Sequence, residues 1–517
     1  MLNRTHLLSF LLLLIFCTAV NAQEKRILSL DDYTYEYIKR LQNRGEMLSL
    51  NPTSLPYTYG EVSEALKTIA QENLNSSEKV WVEFIKERIE LNEASENEKN
   101  PMGIELVFGT RLSDTERLDV LRPLNQEIYA YPYASLSGYM ERSNFVGQLS
   151  VRHDYYYDQD PDGIDAARRL FIRGEESYIG YDNDLVKIRL GRFYNHWGRY
   201  DEASSVLSTN ARSFDQLNIS IGGKYVSFQS IIGELDAISE NDTFTGNAYT
   251  EGSKKRYVAM HRFNWRPSEK FGTSFFGSVI YSGVNSGLSL KYANPLLFYG
   301  FVTDNYPKND ENNLLMGGMI WGNHRSFSFS SQLMLDDVHV FTDVEEPITF
   351  TFLSSFTYAL DNPSIDINLE FESSAYHTYN APQAEGRYLY LGRSIATPTN
   401  DYIKVKLSPD FYLDDYLRGL KATPYLSLYL QGEKNINEPH RIRKPNGELY
   451  DVILTGTEEK TFRGGINILY QPNSNFWFEL DTGYNSLENY NHITGNSNSR
   501  WGTIFEAGFR VGLYEGN

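Results

Sequence analysis

The sequence predicts an all-β transmembrane barrel of about 18 antiparallel strands, preceded by a small periplasmic α-helical segment. Three observations carry this. Most of the chain alternates apolar and polar residues with a period of two. Short and long connections alternate along it. An export signal opens it.

The opening residues, MLNRTHLLSFLLLLIFCTAVNAQ, combine Arg4, an apolar run from Leu7 to Phe16 and small residues before Gln23. That is a secretory signal over residues 1–22, too short and wrongly flanked for a spanning helix. Cys17 follows the bulky Phe16, where a lipoprotein signal needs a small residue. Cleavage after Ala22 would remove the only cysteine, and with it any disulfide, thiolate nucleophile or cysteine metal site. A net charge of −19 argues against nucleic acid as a partner. A mean hydropathy of −0.45 does not argue against a barrel, because only alternate residues of each strand face lipid.

Residues 23–100 read as helices and a linker. Ser29 with Asp32 resembles a capping box, and Tyr33, Tyr37, Ile38 and Leu41 share a face until Gly45. Thr58 with Glu61 opens a second helix carrying Val62, Ala65, Leu66 and Ile69. A third follows Ser76-Ser77, with Val80, Trp81, Phe84, Ile85 and Arg88 at helical spacing. Residues 92–101, NEASENEKNP, form a solvated linker.

Residues 101–517 form the barrel. Its clearest strands are 147–157, 186–194, 326–335, 365–373, 425–431, 476–484 and 503–514. Short turns fall at 141–144, 182–184, 222–223, 267–270, 322–325, 361–364 and 471–474. Long polar loops fall at 112–126, 158–173, 195–214, 236–255, 283–313, 375–400 and 433–460. Outer-membrane barrels sort short periplasmic turns from long extracellular loops in this way, whereas sandwiches and propellers have no reason to. An even strand count returns both chain ends to the periplasm. Aromatic residues near strand ends (155–157, Phe193, Tyr194, Tyr281, Trp321, Tyr470, 476–478, Tyr484) suggest interfacial girdles, against the alternative of ordinary strand propensity.

Strand alternation also sorts the charges. With Val186, Ile188 and Leu190 facing lipid, Lys187 and Arg189 face the lumen, as does Arg152. Ile365, Ile367, Leu369 and Phe371 leave Asp366, Glu370 and Glu372 inside. A basic wall would then oppose an acidic one. Such walls either set a field across a polar pathway or neutralise each other and hold folded-in loops.

Asp158, Asp160 and Asp162 with Gly163 match the first half of an EF-hand loop, but Arg169 stands at the twelfth position. A weak Ca²⁺ site in a surface loop is one reading and a plain acidic loop the other; no other cofactor is expected. The H-E-x-x-H, G-x-S-x-G and P-loop motifs are absent, and His153 and Asp154 are strand neighbours pointing to opposite faces. The expectation is therefore a protein that is not an enzyme.

Residues 191–215, GRFYNHWGRYDEASSVLSTNARSFD, resemble a stretch of the Wzi capsule-assembly family. The matching positions are Gly191-Arg192, Trp197-Gly198, Leu207-Ser208, Asn210-Ala211 and Phe214. Support comes from 294–298 (NPLLF), from Gln332 and Leu335-Asp336-Asp337, and from residues 35–66, similar to the helical start of Bacteroidetes-type members. Where the family carries Trp-Gly-Pro-Gly, this chain has Trp197-Gly198-Arg199-Tyr200. The resemblance implies an outer-membrane barrel with periplasmic helices and a lectin-like role. That role is to retain or assemble capsular polysaccharide or exopolysaccharide at the cell surface. Trp197, Arg199, Tyr200, Asn210, Asp336 and Asp337 are the candidates for polysaccharide contact, by ring stacking and hydrogen bonding. The alternative is that the Trp-Gly and Asn-Ala positions pin a loop inside the barrel. Other expected partners are outer-membrane lipid and the barrel assembly machinery, and a monomer is expected. Two other functions stay open: a transport channel, and a barrel enzyme acting on lipid or glycan.

Overall fold

A computed structural model describes residues 24–93, 102–164, 172–237, 254–283, 286–294, 299, 311–336, 349–361, 364–438 and 443–514. The signal segment, Asp165, Arg169, residues 295–298 and Asp337 lie outside them.

The chain closes a ring of antiparallel strands, each paired with its neighbours in sequence. Of nineteen segments in the sheet, Ile172–Gly174 and Ser177–Asp182 both pair with Phe145–Asp154 and share one place. The result is a barrel of eighteen strands. The first strand, Met102–Ser113, pairs with both Tyr129–Arg142 and the last, Ser497–Tyr514, so no edge is left open. Opposing strands meet in tight turns at 142–145, 182–186, 222–226, 268–271, 324–327 and 473–476. A seven-residue connection at 413–419, which the sequence reading passed over, lies at the same end. Among the described residues no helix is long and apolar enough to cross a membrane.

Lipid-facing positions follow the predicted alternation. Ile188, Leu190, Ile367, Leu369, Leu426, Leu428 and Phe509 are exposed to the outside. Of the aromatic residues expected in girdles, Tyr155, Phe476, Phe478 and Tyr484 are exposed. Tyr156, Tyr157, Phe193, Tyr281, Trp321 and Trp477 are buried. They turn inward because the lumen is filled, so an aromatic ring finds apolar partners on the inner face as well.

The helices are Thr34–Asn43 (α1), Tyr59–Lys67 (α2) and Ser76–Glu93 (α3). Gly45, at φ 89°, ends the first helix in a left-handed turn that its lack of Cβ permits. The Thr58/Glu61 capping box forms as predicted. The Ser29/Asp32 box does not: Asp32 accepts from Thr34 and pairs with Arg88 at 2.7 Å. Asn75 and Glu78 cap α3 reciprocally, one residue before the predicted Ser76-Ser77 start.

The helical segment sits inside the short-turn mouth of the barrel. Its own core gathers Leu28, Tyr35, Ile38, Leu41, Val62, Trp81, Ile85 and Ile89; among the described residues Tyr412 of the barrel wall joins it, and Tyr194 and Tyr200 of the inserted connection pack against it. From the opposite end the connections 193–214 and 375–401 fold into the lumen. Trp197, Leu207, Tyr388, Leu391 and Ile395 pack there on an apolar wall of Ile231, Val258, Met260, Phe276, Leu315 and Met334. The two fillings meet. Leu55 and His196 exchange backbone hydrogen bonds of 3.0 Å, and Tyr200 stacks on Tyr35 at 5.2 Å.

Candidate functional site

The connections 193–214 and 375–401 cover only one sector of the lumen. The remaining sector is polar and holds a cavity of about 700 Å³ bounded by the helical segment on one side. A second cavity of about 450 Å³ lies under the outer loops. The two share Arg111, Asp119, Asn467, Glu479, Asp481 and Glu506 as walls.

The outer cavity is built where four loops meet. Arg117 bonds Asp162 and the Arg122 carbonyl, while Arg122 pairs with Asp119 at 2.7 Å. Burial alone would raise the Asp119 carboxyl, but the Arg122 guanidinium outweighs it and holds Asp119 below its ordinary range. Arg393 grips Asp160 with two donors and reaches the Asn210 side-chain oxygen at 3.1 Å and the Tyr156 hydroxyl at 3.3 Å. Asn210 donates in turn to the Ser394 carbonyl at 2.7 Å. Burial would likewise raise Asp160, yet Arg393, helped by Arg212, keeps it below the usual carboxylate range. A planar guanidinium, a tyrosine ring and an amide thus line one recess. These groups hydrogen-bond hydroxyls and stack on the apolar faces of sugar rings.

The predicted site residues divide. Tyr200 lines the deeper cavity and Asn210 the outer one. Trp197, Arg199 and Asp336 do not lie on a surface. Trp197 is fully buried, its indole N–H donating to Gln229 at 3.0 Å. Arg199 donates to Ser328 and Asn43, linking its loop to the helical segment. Asp336 accepts from the Tyr379 backbone N–H at 2.7 Å. Trp197 and Arg199 are drawn in with the inserted connection that carries them, whereas Asp336 ends the strand Phe327–Asp336 and is covered by the connection that carries Tyr379. Gly198 has no room for a side chain: a Cβ would come within 2.7 Å of the His196 ring. This stretch therefore pins a loop inside the barrel.

The lumen charges point inward as predicted, but not as two opposed walls. Lys187 pairs with Glu61 of the helical segment, and Arg189 with Asp182 at 3.0 Å. Arg152 meets Asp31 and Asp154. Asp366 holds Arg44 at 2.8 Å, while Glu370 and Glu372 face Lys404 across one strand pair. Opposite signs alternate from strand to strand, so the charges neutralise locally and seat the filling.

The Asp158, Asp160 and Asp162 metal reading is not met geometrically. A calcium loop needs its carboxylates to converge on one point. Here Asp160 turns to Arg393 and Asp162 to Arg117 and Arg122, while Asp158 is exposed in the helical turn Tyr156–Gln159. Among the described residues no group of three or more His, Cys, Asp and Glu is placed to hold a metal ion. Arg117, Arg122 and Arg393 were not singled out from the sequence, and Tyr156 only as a girdle aromatic. Their one signal there is the density of arginine and aspartate in otherwise loop-like stretches.

Residues 127–319 match the family described as capsule assembly protein Wzi. No curated protein matches the chain. Among solved structures, Wzi of Escherichia coli is described as an outer-membrane protein involved in group 1 capsule assembly and a carbohydrate-binding β-barrel. It is similar over 94% of this chain and 99% of that one, with TM-score 0.64 and 13% identity. OccAB1 of Acinetobacter baumannii (10% identity, 81% of this chain, 97% of that one, TM-score 0.47) is more distant. So is OccD3 of Pseudomonas aeruginosa (10%, 80%, 91%, TM-score 0.46). The protein is a barrel of the bacterial outer membrane. The chain is thus similar to the Wzi capsule assembly family over residues 127–319, and it shares the barrel fold of Escherichia coli Wzi.

Proposed function

We propose that the protein binds surface polysaccharide at the outer, loop-walled cavity and helps assemble or hold capsule at the cell surface. The observation that carries this is the recess in which Arg393, Tyr156 and Asn210 stand together beneath the outer loops. It has the donors, acceptors and ring faces that carbohydrate recognition uses, and its ion-paired frame holds them preorganised. The Wzi barrel of Escherichia coli is described as carbohydrate-binding, which agrees with this reading. Binding alone suffices for such a role, without a chemical step. An open pore is disfavoured by the two fillings that meet at Leu55 and His196. Outer-membrane lipid around the apolar belt, and the barrel assembly machinery acting on the C-terminal strand, complete the proposed partners of a monomeric protein.

The test is deletion of the gene in its host, complemented with the native chain or with Asn210→Ala/Tyr156→Ala. Loss of the protein should move polysaccharide from cells to medium at unchanged total, and the double variant should restore retention poorly. An unchanged partition after deletion would sink the proposal.

A further inference from the structure

The helical segment is held to the barrel in an unusual way for a part so deeply seated. Its apolar faces are spent on its own core. Apolar contact with the wall is limited to a few places, such as Ile27 against Val146 and Tyr178, and Trp81 against Tyr412. The rest of the seat is polar. Arg262 donates to the Thr53 carbonyl at 2.6 Å, and Arg266 to the Leu48 carbonyl at 2.7 Å. Asn323 donates to the Gln42 carbonyl, Arg44 pairs with Asp366, Lys421 with Glu36, and Arg510 with Asp32. Water can replace every one of these partners. A permanent interface buries apolar area instead.

Above this seat the polar sector runs along the barrel. On the strand Tyr402–Tyr412 the cavity wall extends from Lys404 to Tyr412, about 26 Å of strand at ~3.3 Å per residue. With strands tilted by about 40°, that is ~20 Å along the barrel axis, most of the apolar band of about 25 Å in such barrels. The outer cavity continues it toward the loops.

We infer that the helical segment is a removable plug, and that the polar half of the lumen is a conduit for small hydrophilic solutes when the plug lifts. Without the plug's own Arg26, Asp31, Glu36, Lys39, Arg40 and Arg88, twelve acidic and seven basic described residues line the deeper cavity, so the conduit favours cations. This inference does not rest on polysaccharide binding, and its readout is separate from capsule retention.

The full-length protein in planar bilayers, bathed in potassium chloride, supplies the test. Arg262→Ala/Arg266→Ala removes donors to residues 48–53 without touching the plug's core. A second pair, Asn43→Cys/Ser328→Cys, ties plug to wall where the Ser328 hydroxyl lies 3.1 Å from the Asn43 side-chain oxygen. Heat-modifiable migration on gels confirms a closed barrel in each case. If the alanine pair does not fold, Arg262→Lys/Arg266→Lys, which loses the forked donor geometry, replaces it.

The loosened variant should open about tenfold more often than the native chain, with hydrogen exchange at residues 48–53 faster by a similar factor. The reversal potential should favour potassium over chloride. Oxidising the cysteine pair in the loosened background should silence the current, and reductant should restore it. Native-level exchange in the loosened variant would overturn the removable plug. A loosened plug without current, or current that persists with the tether closed, would overturn the conduit.

Discussion

His196 shows how much one side chain can decide. It is buried where the inserted loop meets the helical segment, and its Nε2 lies 3.0 Å from the Arg199 carbonyl. Burial pushes its pKa down to about 4, although the Arg199 carbonyl and Glu202 oppose the shift; Arg262 and Lys39 reinforce it. A histidine with a lowered folded pKa is neutral in place and binds more protons once released. The stability it contributes is therefore complete above about 6.5 and falls as pH drops toward about 4. By pH 5 the junction should lose about 2 kcal/mol. Hydrogen exchange at the Leu55 and His196 amides should accelerate accordingly between pH 7 and pH 5, relative to His196→Asn at each pH. Equal pH dependence in the two proteins would refute this account. Trp197 carries a related lesson. Its Trp-Gly context was visible in the sequence as a possible sugar contact, but whether a loop tryptophan faces solvent or packs inward depends on the wall it meets. Ile231, Met260 and Phe276 belong to strands paired elsewhere in the ring, and their alternation does not reveal that a loop covers them.

At the scale of elements, the plug's second helix is tied both to itself and to the barrel through one carboxylate. Glu61 accepts from the Thr58 backbone with one oxygen, and its other oxygen pairs with Lys187. The reciprocal half is the Thr58 hydroxyl, which accepts from the Glu61 backbone N–H at 3.1 Å. Thr58→Ala should cost this helix about 1 kcal/mol. Amides of Tyr59–Lys67 should then exchange about fivefold faster, with Thr58→Ser restoring most protection. An unchanged exchange rate would show that tertiary packing, not the cap, holds the helix start. This box was legible because its partners lie three residues apart. The Asp160–Arg393 and Arg117–Asp162 pairs were not, because they join residues from separate loops. Nothing local distinguishes an aspartate awaiting calcium from one awaiting an arginine. The strand at 186–192 was readable for the opposite reason: period-two alternation is local, and Gly191 at φ 138° marks where the strand gives way to the inserted loop.

The whole molecule is two bodies with different glue. The barrel is held by a closed ring of strand pairs, while the helical segment has its own small core and a polar seat. Unfolding in guanidinium should therefore occur in two phases. The helical far-ultraviolet signal should fade at lower denaturant than the heat-modifiable barrel band. A single coincident transition by both measures would show that the seat contributes more than its polar contacts suggest.

What the sequence by itself determined is everything that repeats over a few residues. It determined the strand period, the helix faces, the sorting of short turns from long loops, and with them the barrel and its orientation. These follow from backbone geometry and from the cost of exposing polar backbone to lipid. Tertiary structure alone decided what the lumen contains. The inner face of a strand can meet water, a loop or a helix, and the same polar residues satisfy all three. Only the folded chain shows that one sector is filled by apolar loops, the other left as cavity, and the mouth occupied by helices. The outer recess of Arg393, Tyr156 and Asn210 exists because three distant segments arrive at one place.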